Sequence, residues 1–570
     1  MPLDDSSHSS SGTLLEPVPI QTHSSPVETN RSLIARLAFP LAFLAIAATL
    51  LVLIVSVLKI NNGKFIYTLD DPYIHLSLSD QIRHGNYGLY AGTHAAPSSS
   101  IIFPFILATA AGTPLHPYFP LIINVCALFF TAEIMRRFLL HLKLGTDDFV
   151  IATQAAILYV MALCFNLIGV VFTGLEHSLH IATVAAIIYG LTLLVDRDKM
   201  PTWLPFAIIL CPLIRYEGAA LSVGALLVLA LRGRFKTALA TFAVMAALLG
   251  SFSLFLIKLG LPPLPSSILS KSAVAAGGVD GGHGHFAAGL IKNIDFVLTH
   301  PTGLLMLLIG VIAACVFLSE TFITERRLTP RALMALALLS MIGGQTVGGR
   351  FGWLDRYEDY IIVGCALVGL YLAQSAIRAA LAPSRKDRLV LAGGFAAALF
   401  VFGARYWNMT AHTALASNNI YEQQLQMHYF VDKFYKGPIA INDLGLSSYH
   451  NPYPVLDLGG LGSEAARKLI ASHATSADYA AFVAANNVHL VMVYDEWFPD
   501  QIPDTWHHVG TISLSRPHLS AAQSDVQFYA TDDATAARVR EELSAFQKTL
   551  PPRVELTIDT PGSSETKPLS

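Results

Sequence analysis

Two adjacent carboxylates, Asp70 and Asp71, sit in the segment Thr68-Leu69-Asp70-Asp71-Pro72-Tyr73-Ile74-His75-Leu76, just beyond a long apolar run. Carboxylates this close repel each other, and beside a membrane they are costly to desolvate, so one of them is expected to titrate high. Such a pair can hold a metal, or one member can remove a proton while the other positions a donor. The same residues also read as a helix start, with Asp70 or Asp71 as N-cap, Pro72 at the first helical position and both charges favoured by the helix dipole. Capping and chemistry are compatible at the mouth of a cavity.

Four further polar elements interrupt apolar sequence. Arg215-Tyr216-Glu217-Gly218 lies between two apolar stretches. An arginine at that depth requires an anion, either Glu217 or a ligand phosphate, so the element reads equally as a structural ion pair or a binding group. Thr173-Gly174-Leu175-Glu176-His177 places Glu176 and His177 at the end of an apolar run, and alone it reads as a turn built on Gly174. Lys271, after Leu264-Pro265-Ser266-Ser267, is either an exposed loop lysine or a point charge for phosphate. Arg350-Phe351-Gly352-Trp353-Leu354-Asp355-Arg356-Tyr357 suits a lipid headgroup, a stacked sugar or an ordinary interfacial belt. His283 and His285 lie in a Gly-rich loop with no carboxylate near in sequence, so no metal ligands are read from them.

The elements that must position these groups follow from composition. Only 14% of the 570 residues are charged and 53% are hydrophobic, against about 25% charged in soluble domains. Charge this sparse cannot cover a water-facing surface, so a bilayer is part of the solvent. A net charge of -3 argues against nucleic acid as a partner. Hydropathy predicts about eleven spans of roughly 20 residues, from 33–58 to 389–404. Two short ones, 202–214 and 219–231, read as half-helices meeting at a break. The first run is too long for a signal-peptide core and should stay as an anchor. The five cysteines all lie in apolar runs, which predicts small core hydrophobes rather than disulfides.

Basic residues such as Arg136, Arg137, Arg232, Arg234, Arg326 and Arg327 gather on the side of the N-terminus, which places that terminus in the cytoplasm. Every polar motif above then falls on the outer face. Residues 1–30, rich in Ser, Pro and Thr, predict a disordered cytoplasmic tail, and 31–405 a transmembrane domain whose first outer loop is 59–116. Strand-like runs at 439–441, 454–458, 489–494 and 526–529 alternate with helical stretches at 463–472, 477–485 and 533–548. That predicts an α/β domain over 406–550, outside the membrane, followed by a disordered tail at 551–570.

In order and sidedness, these motifs resemble the GT-C superfamily of membrane glycosyltransferases, which use polyprenyl-phosphate sugars, and within it the bacterial arabinofuranosyltransferase-like branch. The branch's Asp-Asp-Ala-Tyr-Ile loop, Gly-rich turn and Ser-Pro segment are similar to Asp70 to Ile74, Gly85-Asn86-Tyr87-Gly88 and Pro97-Ser98-Ser99-Ser100. Gly174-Leu175-Glu176, Arg215 to Gly218 and Pro265 to Lys271 match further elements, and Asn442 to Gly445 and Asp457 to Leu461 match its outer C-terminal region. The likeness spans roughly residues 33–465, with departures at Pro72, Tyr216 and Pro265-Ser266.

The resemblance implies a polytopic α-helical membrane protein of GT-C type with a C-terminal extracytoplasmic α/β domain, in a bacterial inner (cytoplasmic) membrane with that domain periplasmic. It implies inverting transfer of a hexosyl or pentosyl group from a polyprenyl-phosphate sugar donor to a cell-envelope glycan, lipid or protein acceptor. Asp70 is then the general base, with Asp71 orienting or sharing that role. Lys271, Arg215, Arg350 and Arg356 would bind the donor phosphate, and Tyr73, His75, Glu176, His177 and Glu217 the sugar or acceptor. Some relatives use a divalent cation, so one is admissible here. A transporter or flippase would instead predict an inverted repeat and charges at the midplane. A non-catalytic envelope assembly protein would leave Asp70 and Arg215 dispensable. On the enzyme reading, Asp70→Asn is expected to abolish transfer with little effect on folding.

Overall fold

The computed structural model describes residues 32–271, 283–352, 356–384 and 386–560. The tail expected at 1–30 and the last ten residues lie outside that description. Helix α1 (Leu33–Ile60) starts where the Ser32 hydroxyl accepts the Ala35 amide at 3.3 Å. Ala35, Phe39, Ala42, Ile46, Leu50, Leu53 and Val57 recur every three or four positions and are buried, facing the helix Asp148–Cys164. The opposite side exposes Leu33, Leu37, Leu41, Leu44, Leu51 and Val55. An outward face this long and apolar is stable only against lipid.

Eight helices among the described residues are long and apolar enough to cross a membrane, against the eleven or so expected. Of the three remaining expected positions, two hold shorter apolar helices, Leu204–Ile214 and Gly218–Leu231, and the third holds the apolar stretch Arg388–Val401 of the helix Arg388–Ala411. The first two are short for a local reason. Pro212 removes a backbone donor near the end of Leu204–Ile214, and the chain runs extended through Arg215 at φ -150° before restarting at Gly218. A Cβ on Gly218 would lie 2.6 Å from Cys211 Sγ and 2.8 Å from its carbonyl oxygen, so only glycine lets the two pieces close up. All five cysteines are free, but only Cys164, Cys211 and Cys365 are core residues. Cys126 and Cys315 lie exposed on apolar helices, contrary to the expectation for them.

Beyond the helix Arg388–Ala411, helices Thr413–Glu422 and Gln424–Phe430 lead into a six-stranded mixed sheet. Its strands are β1 (Ile439–Ile441), β2 (Val455–Asp457), β3 (Leu490–Val493), β4 (His507–Ser513), β5 (Asp525–Ala530) and β6 (Glu555–Ile558), in spatial order β2-β1-β3-β5-β4-β6. β1 pairs in parallel with β2 and β3, and the other pairings are antiparallel. Alternation splits β3 between two cores. Leu490 and Met492 pack with Phe430, Val539, Leu543 and Phe546, whereas Val491 and Val493 pack with Tyr479, Val483, Phe498 and Trp506. The sheet is therefore covered by helices on both faces.

Helix α2 (Asp71–Arg83) is wedged between this domain and the spans, with Pro72 through Ser79 all buried. It packs on the helix Phe103–Ala108 and on the turn Gly445–Ser448 of the C-terminal domain.

The tail expected to be disordered from 551 is ordered through its first ten residues. There β6 pairs with β4, Ile512 opposite Leu556, and Leu556 is buried in the sheet's first core. Leu556→Ala is accordingly expected to destabilise the C-terminal domain by about 2–3 kcal/mol. Urea unfolding followed through Trp497 and Trp506 fluorescence would detect it, and an unchanged midpoint would show β6 to be dispensable.

Candidate functional site

The start of α2 sends its two carboxylates in different directions, because successive helical residues differ by about 100°. Asp70 turns into the C-terminal domain. Its Oδ2 accepts the Gly445 amide at 2.5 Å and its Oδ1 the Leu446 amide at 2.7 Å. The approach is so close that a Cβ on Gly445 would fall 2.0 Å from the Asp70 carbonyl oxygen. Asp71 turns the other way, pairs with Arg356 Nη2 at 2.6 Å, and lines a cavity with His75, Ser99, His177, Arg215, Arg356 and Tyr357. About 10 Å³ of that cavity is accessible to water, room for roughly one molecule. A sugar ring enters only if the surrounding loops part.

Arg215, held at the break between the two half-helices, is 3% exposed. Its Nη1 donates to Glu176 Oε1 at 2.7 Å and lies 3.2 Å from His177 Nε2, while Nη2 donates to Glu217 Oε1 at 2.8 Å. Ser99 Oγ donates to the same Glu176 oxygen at 2.8 Å, and His75 Nε2 stands 3.9 Å from the other. Tyr357, which sequence reasoning did not single out as a site residue, lies under three guanidinium groups. Arg356 is 4.9 Å from its ring centre, and Arg215 and Arg350 are each 5.7 Å away. An aromatic between two arginines was the available signal.

Of the residues expected to form one site, Asp71, His75, Glu176, His177, Arg215, Glu217 and Arg356 are thus brought together. Arg350 is exposed at the edge and reaches the group through Tyr357. Tyr73 is not part of the cavity lining. Its hydroxyl accepts the Tyr67 amide at 3.3 Å and its ring packs against Tyr449, in a separate aromatic core. Lys271 closes the short helix Ser266–Lys271, and its side chain lies outside the described residues, as do those of His283 and His285. The group among the described residues that could hold a metal ion is a different one, Asp80, His116 and His450.

Residues 418–529 match the family described as Domain of unknown function (DUF8728), which covers the C-terminal domain from its entry helix into β5. No curated protein matches the chain. Among solved structures it is similar to the oligosaccharyltransferase of Archaeoglobus fulgidus in the apo form, at 12% identity and a TM-score of 0.42, covering 90% of this chain and 76% of that one. The same enzyme in complex with Zn and sulfate gives 14% and 0.43, covering 89% and 74%. Archaeal oligosaccharyltransferase AglB from that organism, with an inhibitory peptide and a dolichol-phosphate, gives 12% and 0.37, covering 90% and 75%. At these values the likeness is one of coarse layout, and function has to be argued from the side chains.

Asp70 meets a third carboxylate, Asp443, at the end of β1. Gln424 Nε2 donates to Asp443 Oδ2 at 2.9 Å and the Tyr494 hydroxyl to the same oxygen at 3.3 Å. Burial, reinforced by the charge of Asp71, pushes the Asp443 carboxyl up to about 6. Burial and Asp443 likewise hold Asp70 well above the usual carboxylate range. Groups whose folded-state affinity for a proton is raised stabilise the fold fully below their ordinary range, and that stability is lost as pH rises through the raised value. The protein is therefore expected to weaken as pH rises from about 4 through about 6, and Asp443→Asn should reduce that loss by about 3 kcal/mol. Thermal unfolding of the whole chain in detergent across this range checks it, and parallel pH profiles for both proteins would contradict it.

Proposed function

We propose that this chain is a membrane glycosyltransferase of the GT-C type that moves a sugar from a polyprenyl-phosphate carrier to an acceptor hydroxyl at the outer membrane face. The observation that carries the reading is Arg356. It is 3% exposed, and its Nη2 holds Asp71, yet among the described residues neither Nε nor Nη1 has a hydrogen-bond partner. Each unmet buried donor costs about 1–3 kcal/mol. Nε and Nη1 point to different sides of the guanidinium, and a phosphate oxygen would satisfy one of them with a charge-assisted hydrogen bond beside Nη2.

The rest of the cavity suits the reaction that such a phosphate would undergo. The bond between the anomeric carbon and the phosphate oxygen breaks with its electron pair going to phosphate, where Arg356 and Arg215 offset the developing charge. The acceptor oxygen attacks from the opposite face and inverts the centre. Its proton passes to Asp71, whose carboxylate lines the cavity, whereas both oxygens of Asp70 are taken by backbone amides. Glu176 and Glu217 each keep an Oε2 without a hydrogen-bond partner among the described residues. Neither residue lines the cavity, so their charges act on the positive charge building on the sugar ring through Arg215 and across the short distance to it.

A divalent cation would find Asp71, Glu176 and Glu217 already sharing one oxygen each with a guanidinium, so no step is assigned to a metal here. With the N-terminus in the cytoplasm, as the basic residues favour, the cavity opens toward the cell envelope. The acceptor is then an envelope glycan, lipid or protein.

Transfer from labelled polyprenyl-phosphate sugars by the purified chain tests the assignment. Asp71→Asn is expected to lower turnover of the folded protein by about 10²–10⁴-fold, the range of a lost general base, and also to lower the melting temperature, because it leaves buried Arg356 without its carboxylate. Asp70→Asn should lower that temperature by loosening the C-terminal domain. Full turnover in the Asp71 variant would overturn the role given to that residue.

A further inference from the structure

A second constellation lies at the opposite end of α2. Asp80 in its last turns, His116 just ahead of the helix Phe119–His141, and His450 in the C-terminal domain each present a ligand atom, and all three atoms lie within 4.8 Å of one another. None lines the Asp71 cavity. The chemistry is that of a borderline cation: two imidazoles and one carboxylate, with room for a fourth ligand.

The hydrogen bonds around His116 fix which nitrogen is available. Ser79 Oγ has one proton, and it goes to the Leu76 carbonyl at 2.8 Å. The His116 Nε2 that stands 2.8 Å from the same oxygen must therefore be the donor, so Nε2 carries the ring proton. Nδ1 is left as a lone pair, with the Tyr449 hydroxyl 3.2 Å away and able to rotate aside. A histidine whose far nitrogen donates to a protein oxygen is oriented as metal-binding histidines are. His116 is 1% exposed, so that orientation is fixed by packing. His450 is exposed and sits at φ +54°, with its ring stacked 4.0 Å from that of Tyr449. Tetrahedral zinc needs ligand atoms about 3.3 Å apart, a closure that the exposed His450 side chain can supply by rotation.

We propose that Asp80, His116 and His450 bind one divalent cation of the zinc type and thereby staple the C-terminal domain to the helix that carries Asp71. The three ligands come from three distant parts of the chain, so the ion would fasten the domain at one end of α2 as the Asp70 contacts fasten it at the other. This site does not depend on the glycosyl-transfer reading.

Titration of the full-length protein in detergent with Co²⁺, read by the visible absorption of a tetrahedral site and competed with Zn²⁺, tests it. One equivalent per chain is expected, with a rise in melting temperature on Zn²⁺ addition. His450→Ala, at an exposed position, and Asp80→Ala should each weaken Zn²⁺ at least tenfold and remove that rise, whereas the surface control His473→Ala should do neither. Absence of stoichiometric binding, or equal binding in the wild type and both ligand variants, would overturn the proposal.

Discussion

An arginine buried at the mouth of a membrane cavity dictates much of what surrounds it. Removing one partner of a buried ion pair costs about 3–5 kcal/mol, so Arg215 can exist there only with both of its carboxylates in place. Glu217 is supplied by the helix break itself, and Glu176 by the turn before the helix His177–Arg197. The break in turn depends on Pro212 and on the absence of a side chain at Gly218. What looks like an interrupted span is a charged hinge point in which two carboxylates hold Arg215. Beside it Arg356 stands out, because its charge is paired while among the described residues its Nε and Nη1 have no hydrogen-bond partner.

The C-terminal domain belongs to this arrangement and is not an appendage. Ligands of sheets with parallel strands commonly occupy the crevice at the strands' carboxyl ends. Here the segment after β1 receives the Asp70 carboxylate instead, on the amides of Gly445 and Leu446. The membrane half thus plugs the domain's crevice with one aspartate while presenting the next to the cavity. Leu461, from the segment after β2, reaches the cavity wall itself. Docking of the domain and the shape of the site are consequently one event, controlled through α2.

Much of the layout was legible from hydropathy and from motif order. The break at Arg215 was visible because a charge and a glycine interrupt apolar sequence, and β1, β2, β3 and β5 were visible as short apolar runs. β4 was not: His507-His508-Val509-Gly510 mixes polar residues with a bulge between His508 and Gly510. β6 lay hidden behind Pro551-Pro552 in a polar tail. Of the eleven or so expected spans, eight are long apolar helices among the described residues, and apolar content alone does not reveal where a helix such as Leu204–Ile214 stops. The resemblance gave the base role to Asp70, with Asp71 orienting or sharing it. Adjacent residues share every sequence feature, and only the helix start separates them, turning Asp70 onto the Gly445 and Leu446 amides and Asp71 into the cavity. Tyr73 followed the motif into the candidate site, yet its partners Tyr67 and Tyr449 hold it in a core. The Asp80, His116 and His450 group had no sequence signature at all, because its members come together only when the domain docks.

The account rests on Arg356 receiving a lipid-linked phosphate next to the Asp71 carboxylate. A cryo-electron microscopy map of the full chain with bound polyprenyl phosphate tests this directly. The phosphate should lie within hydrogen-bond reach of Arg356 Nε or Nη1, on the Asp71 side of the cavity. A phosphate held elsewhere, with the Arg356 and Asp71 pair unchanged and out of reach, would contradict it.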